Sequence, residues 1–411
     1  MSAARSTARL RVFLGAFGDP GHAFPMLALG SSLVRRGHEV VLETWQRWST
    51  HVEAAGMRFA AAPEYPVFPT RERPLQPYEA VVRAAAQTRS SIAEARPHVV
   101  VHDILTLAPA LAGELEGVPV ATLIPHVYPV GRPGLPPYAM GARPPRTRFG
   151  RVAWRMFDRP VELGLRQGQR DLNETRRKLG LEPVARLHGG LSQELCIVGT
   201  FPQLEYPRPW PQNVHVVGPL LWEPPHDDVE PPPGDAPLVV IAPSTAQDPR
   251  HDMLRAALPA LGPLEVRALA TWNRKPLPGP LTVPANARLA EWISYSRSMP
   301  NAAAVICHAG HGTMVRALAC GCPVVAVPHS GDMAENAARL DWAGAGVRLP
   351  WRLLSPVTLR LAVRRVLENP GFGERARELA TWAAGHDGAR AAAELVEALA
   401  LRQADGRAGT R

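Results

Sequence analysis

The stretch from Trp292 to Ala338, WISYSRSMPNAAAVICHAGHGTMVRALACGCPVVAVPHSGDMAENAA, constrains this chain more than any other. Its apolar run Ala303-Ala304-Val305-Ile306-Cys307 has the length of a buried strand, and Gly310 and Gly312 break it. The spacing predicts a helix from Thr313 to near Gly321 and another strand over Pro323 to Val327. A helix that opens at a glycine turn offers unpaired backbone N–H groups and the positive end of its dipole, which suits a phosphate. His308 stands at the carboxyl end of the strand, where open parallel sheets bind ligands. Asp332 and Asn336 follow the next strand on the same rim. The segment predicts an α/β unit that handles a phosphate compound.

The same alternation runs through the rest of the chain. Strands are expected at Leu10 to Ala16, Glu39 to Glu43, Met57 to Ala62, His98 to Val101 and Val118 to Leu123. Helices are expected at Phe24 to Arg36, before Pro97, and at Thr106 to Glu116. Strands alternating with helices imply a parallel sheet covered on both faces. Pro129 to Arg148 is rich in Pro, Gly and Arg and reads as irregular. One or two Arg-rich helices follow over Phe149 to Leu179, then strands at Glu194 to Val198 and Val214 to Val217. The linker EPPHDDVEPPPGDAP, residues 223–237, is stiffened by proline and solvated by acids, and the alternation restarts at Leu238. A last long helix is expected over Gly373 to Leu401, with a disordered tail over 403–411.

The ordered set His-x-Gly-x-Gly-Thr, Gly-Cys-Pro-Val-Val-x-Val-Pro and Gly-Asp-x-x-x-Asn-Ala-Ala, after an aromatic in a loop, resembles the donor-binding signature of GT-B nucleotide-sugar glycosyltransferases. The branch it resembles is family 1, the UDP-glycosyltransferase-like enzymes of bacterial natural-product pathways. Gly21-His22-Ala23-Phe24-Pro25 and Arg36-Gly37-His38-Glu39-Val40 resemble that family's first strand–helix–strand unit. The resemblance implies two Rossmann-like doubly wound α/β domains facing a central cleft. Residues 1–222 would form the acceptor-binding domain and 238–402 the donor-binding domain, with the last helix crossing back to the first. It also implies an inverting, metal-independent transfer from a nucleotide diphosphate sugar to a hydroxyl of a small apolar acceptor.

Such a transfer needs a base for the acceptor hydroxyl, and an imidazole titrates near working pH. His22 occupies the position of the family's catalytic histidine; a histidine bonded locally in a turn is the plainer reading. Asp103 would orient it and stabilise the imidazolium, as the acid of a triad does, though an Asp here also suits a helix N-cap. His102 beside it and the carboxylate of Asp19 leave that assignment open. For the leaving diphosphate the resemblance implies His308, Gly310, Gly312, Thr313 and Ser244; for the base, stacking on Trp292; for the sugar, Asp332 and Asn336. His126, Tyr128 and Tyr138 suggest an amphipathic acceptor wall.

Three positions depart from the family pattern. His311 stands where a small residue or Trp is common, and Met333 replaces a Gln that contacts the sugar. Arg316 replaces a Glu that accepts from ribose hydroxyls, and a guanidinium has no acceptor. The last two favour a dTDP-deoxysugar over a UDP-sugar. Two rivals are a sugar-nucleotide epimerase on the same fold and a non-catalytic auxiliary subunit; loss of His22 would leave an auxiliary protein indifferent.

Composition closes off other classes. The net charge of +9 comes almost wholly from arginine, Lys178 and Lys275 being the only lysines, and it does not read as a nucleic-acid surface. The cluster Arg143, Arg146, Arg148, Arg151 and Arg155 could touch an acidic surface but reads first as a solvated loop. Cys307, His308, His311, Cys320, Cys322 and His329 fit no common zinc spacing, and Gly15-x-x-Gly18-x-x-Gly21 is not a dinucleotide fingerprint. No cofactor is expected. Neither a signal peptide nor a membrane-length apolar run is evident, so a cytoplasmic monomer or homodimer is expected.

Overall fold

In the computed structural model, which describes residues 9–63, 77–226, 228–245 and 247–408, the chain folds around two wholly parallel sheets. The first half runs β1 (Arg11–Gly15), α1 (Pro20–Arg35), β2 (Glu39–Thr44), α2 (Ser49–Ala54), β3 (Arg58–Ala61), α3 (Pro77–Ala95), β4 (Val99–Asp103), α4 (Leu107–Leu115), β5 (Val120–Ile124), α5 (Arg148–Arg155), α6 (Asp158–Lys178), β6 (Leu195–Val198) and β7 (Val214–Val216). The second runs β8 (Leu238–Ala242), α7 (Asp252–Leu261), β9 (Arg267–Thr271), β10 (Ala287–Ala290), α8 (Tyr295–Ser298), β11 (Ala304–Cys307), α9 (His311–Ala319), β12 (Val324–Ala326), α10 (Met333–Ala343), β13 (Gly346–Arg348), α11 (Pro356–Glu368), α12 (Pro370–Ala384) and α13 (Gly388–Ala408).

The strand orders are β3-β2-β1-β4-β5-β6-β7 and β10-β9-β8-β11-β12-β13. Each sheet grows outward from its first strand and reverses once, between β1 and β4 in the first and between β8 and β11 in the second. Ligands bind beyond the carboxyl ends of strands at such reversals. Strands buried on both faces are continuous apolar runs, as in LVVIA of β8 and AVIC of β11, whose residues are all buried. Parallel pairing places β1 beside β4 and β8 beside β11.

Several expectations are corrected. Helix α1 begins at Pro20, four residues before Phe24, because proline is pre-organised for the first helical position, where its missing N–H costs nothing. The last helix is two: α12 ends at Ala384, and Asp387 opens α13 by accepting from the Arg390 N–H at 3.0 Å. The backbone expected to be disordered from Gln403 continues as helix to Ala408, carried on from the packed turns of α13 across Asp405 and Gly406; 409–411 lie outside the described residues. Of the arginine cluster, Arg148, Arg151 and Arg155 lie on the helix α5, within one residue of the helix expected from Phe149, and not in a loop.

The C-terminal helix α13 packs on the first half of the chain. Ala392, Ala393, Val396 and Leu399 join the core of β1, β2 and α1, and Glu397 accepts from Arg36 at 2.5 and 2.7 Å and from His38 Nε2 at 2.6 Å. A second tie is Arg339 of α10, which donates to Glu205 at 2.8 Å and to the Leu204 carbonyl at 3.1 Å. Its guanidinium lies 3.9 Å from the Tyr206 ring. Both partners are buried, and removing Glu205 orphans the Tyr128 N–H and leaves Glu335, at 2.9 Å, as the one carboxylate on Arg339 among the described residues. Glu205→Ala should cost about 3 kcal/mol, measurable as a lower midpoint in chemical unfolding.

Candidate active site

His22 lies in the first turn of α1, just past β1, and Asp103 is the last residue of β4. The strand reversal brings them together: His22 Nδ1 is 2.8 Å from Asp103 Oδ1. Asp103 is fully buried, and its Oδ2 accepts from the Phe17 N–H at 3.3 Å, which fixes the carboxylate. Burial alone would lower the imidazole pKa. The charge and hydrogen bond of Asp103 outweigh it, with smaller help from Asp332 and Asp19, and the net shift is upward. Neither rival partner competes. His102 points away to Thr122 at 2.7 Å, and Asp19 pairs with Arg47 at 3.3 Å.

His126 and Tyr138 stand beside this pair. Their rings stack at 5.9 Å, and the His126 ring is 6.3 Å from that of His22. Tyr128 does not join them. It is buried in a separate cluster, 4.7 Å from the Arg208 guanidinium and 5.6 Å from Trp210, because the chain turns between His126 and Tyr128 and the two side chains part. Sequence reasoning also missed Glu43, a buried carboxyl at the end of β2 that accepts from Thr88 at 2.8 Å and that burial pushes up to about 7. It opens on a small pocket walled by Phe17, Trp45 and Pro109, next to the His22–Asp103 pair.

The second reversal has its own histidine. His308 follows β11, and its Nδ1 accepts from the Ser244 N–H at 3.0 Å in the loop after β8. Its Nε2 faces Asp248 Oδ2 at 3.1 Å. Burial lowers the His308 pKa against the pull of Asp248, so the ring is neutral with its one N–H on Nε2. Both ring nitrogens are engaged within the domain, and His308 also lines the cleft pocket. Asp248 went unseen in the sequence. Its carboxylate also accepts from the N–H groups of Asp252 and Met253 at 2.8 and 3.1 Å, capping α7. Burial alone would raise its pKa, but the His308 bond and these amides bring it down to about 2. Lys275 Nζ holds the same loop through the carbonyls of Ser244, Gln247 and Asp248.

Backbone N–H groups stand at the same rim. Gly310 caps α9, and His311, Gly312 and Thr313 form its first turn, where N–H groups have no partner within the helix. All four residues line the cleft pocket. Asn336 is fully buried; its amide N–H groups donate to the Ala309 carbonyl at 3.0 Å and to Asp332 at 3.1 Å, which fixes the loop. Ala309 holds a left-handed φ of 59°, Asp248 one of 61° and His251 one of 54°. Each costs on the order of 1 kcal/mol, strain that concentrates at functional sites.

Pocket walls come from both halves: Pro20, Gly21 and Phe24 on one side, Ser244, Trp292 and Thr313 on the other. Trp292 has His226 at 4.9 Å and the Arg274 guanidinium at 5.8 Å. His311 crosses the cleft, its Nε2 3.3 Å from the Gly199 carbonyl. Arg316 is 3.6 Å from Glu223, which also accepts from Ser294 and Ser296 at 2.5 and 2.6 Å. Position 316 lacks an acceptor, yet the first linker residue brings a carboxylate to the same wall. Among the described residues no His, Cys, Asp or Glu group is arranged to hold a metal, and no helix is long and apolar enough to cross a membrane. Cys307 and Cys322, two of the residues weighed for zinc, are buried in the core.

Comparison with known proteins agrees with this geometry. Residues 255–399 match the C-terminal domain model of erythromycin biosynthesis protein CIII-like proteins. The chain is 32% identical over 314 residues to a PGL/p-HBAD biosynthesis glycosyltransferase of Mycobacterium tuberculosis, covering 72% of this chain and 69% of that protein. It is 29% identical over 431 residues to the 4'-demethylrebeccamycin synthase of Lentzea aerocolonigenes, covering 95% and 99%. The crystal structure of glycosyltransferase VinC in complex with dTDP superposes with a TM-score of 0.69 at 19% identity, over 96% of this chain and all of VinC's. Two doubly wound domains with facing switch points, in a chain with these relatives, define a GT-B glycosyltransferase. Within that class the chain belongs to family 1, the UDP-glycosyltransferase-like enzymes of natural-product biosynthesis.

Proposed function

We propose that the protein is an inverting, metal-independent glycosyltransferase that moves a deoxysugar from a dTDP-sugar to a hydroxyl of a small apolar acceptor. The observation that carries this reading is the pairing of His22 with Asp103 at one switch point, opposite the α9 N-terminus at the other. His22 Nε2 takes the acceptor proton while Nδ1–H stays on Asp103, which stabilises the imidazolium. The freed oxygen attacks the anomeric carbon from the face opposite the diphosphate, and the carbon–oxygen bond to the β-phosphate breaks. Charge gathering on the departing diphosphate is met by the first-turn N–H groups of α9.

Asp332 bonds the sugar hydroxyls from the second domain, and its charge helps to raise the His22 pKa. His126 and Tyr138 form the acceptor wall beside the base. The buried, apolar Met333 next to Asp332 supports a donor sugar with fewer hydroxyls. The dTDP complex of VinC, a protein of the same fold, is in keeping with dTDP. Arg316 no longer bears on the choice, because Glu223 supplies an acceptor beside it.

Thermal unfolding with dTDP, UDP, GDP and NAD tests the donor assignment. A nucleotide at 100 times its dissociation constant adds about 2.7 kcal/mol, a shift of several degrees. A shift with dTDP and a smaller one with UDP is expected. A UDP preference would overturn the donor, and no shift with any nucleotide would overturn the donor site itself.

A further inference from the structure

Helix α5 carries an apolar stripe that nothing in the chain covers. Phe149, Val152 and Met156, at i, i+3 and i+7, share one face and are 89%, 61% and 76% exposed. Monomers seldom leave such side chains together in water. Arg148, Arg151 and Arg155 repeat the same spacing one residue earlier, so a cationic stripe runs alongside the apolar one. None of these three arginines, nor Arg146, has an ion-pair partner among the described residues. A second feature adjoins the helix: a groove lined by Arg132, Arg146 and Arg151, by Tyr206 and Trp342, and by Arg143, which pairs with Asp341.

We propose that α5 and this groove form a docking surface for an anionic phospholipid bilayer. An interfacial helix buries its apolar face at the headgroup boundary while its arginines extend toward phosphate. The two parallel stripes match that demand, and the groove supplies further guanidinium groups at headgroup level. Each arginine near an anionic leaflet adds to the attraction, and the net charge of +9 adds a favourable field.

A second copy of the chain fits less well. The eight residues of α5 make a helix about 12 Å long, a small part of the roughly 800 Å² per partner that a stable dimer needs. A two-fold contact through this face would also set arginine stripes against each other.

Sedimentation with vesicles, using the full chain, tests the proposal. Vesicles of phosphatidylcholine alone are compared with equimolar phosphatidylcholine and phosphatidylglycerol at low and high salt. Binding to the anionic vesicles should be at least tenfold tighter and should weaken as salt rises. The double variant Phe149→Ser with Met156→Ser should lose at least tenfold, and so should Arg148→Ser with Arg151→Ser and Arg155→Ser. All these side chains are exposed, so the unfolding temperature should be unchanged in both variants. Equal binding to both vesicle types, or variants that bind as the native chain does, would overturn the proposal. So would a concentration-dependent dimer that the Phe149 and Met156 changes abolish while vesicles are not bound.

Discussion

Replacing His22 by alanine is expected to slow glycosyl transfer by about 10² to 10⁴-fold while dTDP still raises the unfolding temperature. The variant removes the imidazole that the buried Asp103 carboxylate holds at the first switch point. It leaves the donor side untouched: Ser244, His308 and Asp248 bond to one another without it. Folding should suffer little, because His22 packs in no apolar core and the buried Asp103 keeps the Phe17 N–H at 3.3 Å. Loss of rate with nucleotide binding intact separates a catalytic base from a residue that holds the fold. A variant as active as the native enzyme would show that the acceptor proton goes elsewhere.

The second large effect is expected at Asp103→Asn, a drop in rate of about a hundredfold or more, accompanied by a moved pH profile. His22 must be neutral to accept a proton, so the native rate rises with pH through an imidazole pKa lying above its ordinary 6.5. Burial works against that elevation, and Asp103 is the largest of the contributions that produce it. With the negative charge gone, the imidazole deprotonates more readily. The rising limb should shift to lower pH while the plateau falls, because the asparagine can no longer stabilise the imidazolium. A lower plateau with an unmoved limb would mean that Asp103 serves only to hold Phe17 and the strand end.

How much of this was legible in sequence depended on the range of the contacts. Strands such as Leu238–Ala242 and Ala304–Cys307 could be read because a doubly covered parallel strand is an unbroken apolar run. RALAT of β9 and ARLA of β10 escaped because alanine and arginine favour helix, and only neighbouring strands make them extended. The first turn of α9 was legible, since its glycine turn is local. Asp248 was not, since its meaning lies in His308, sixty residues away. Arg316 shows the same limit: its lost acceptor was visible at once, whereas Glu223 meets it only after the linker and α9 converge. Tyr128 misled because sharing a segment with His126 says nothing of which way each side chain turns.

The most direct test of two switch points acting as one transferase is the anomeric configuration of the product. The enzyme is supplied with a dTDP-deoxysugar of known configuration and a panel of small aromatic alcohols. Proton NMR then reads the anomeric coupling of the glycoside, while released dTDP is counted against it. Inversion at the anomeric carbon, one dTDP per glycoside, and almost no product from His22→Ala is the predicted result. Retention of configuration, or a glycoside formed at the native rate without His22, would contradict it.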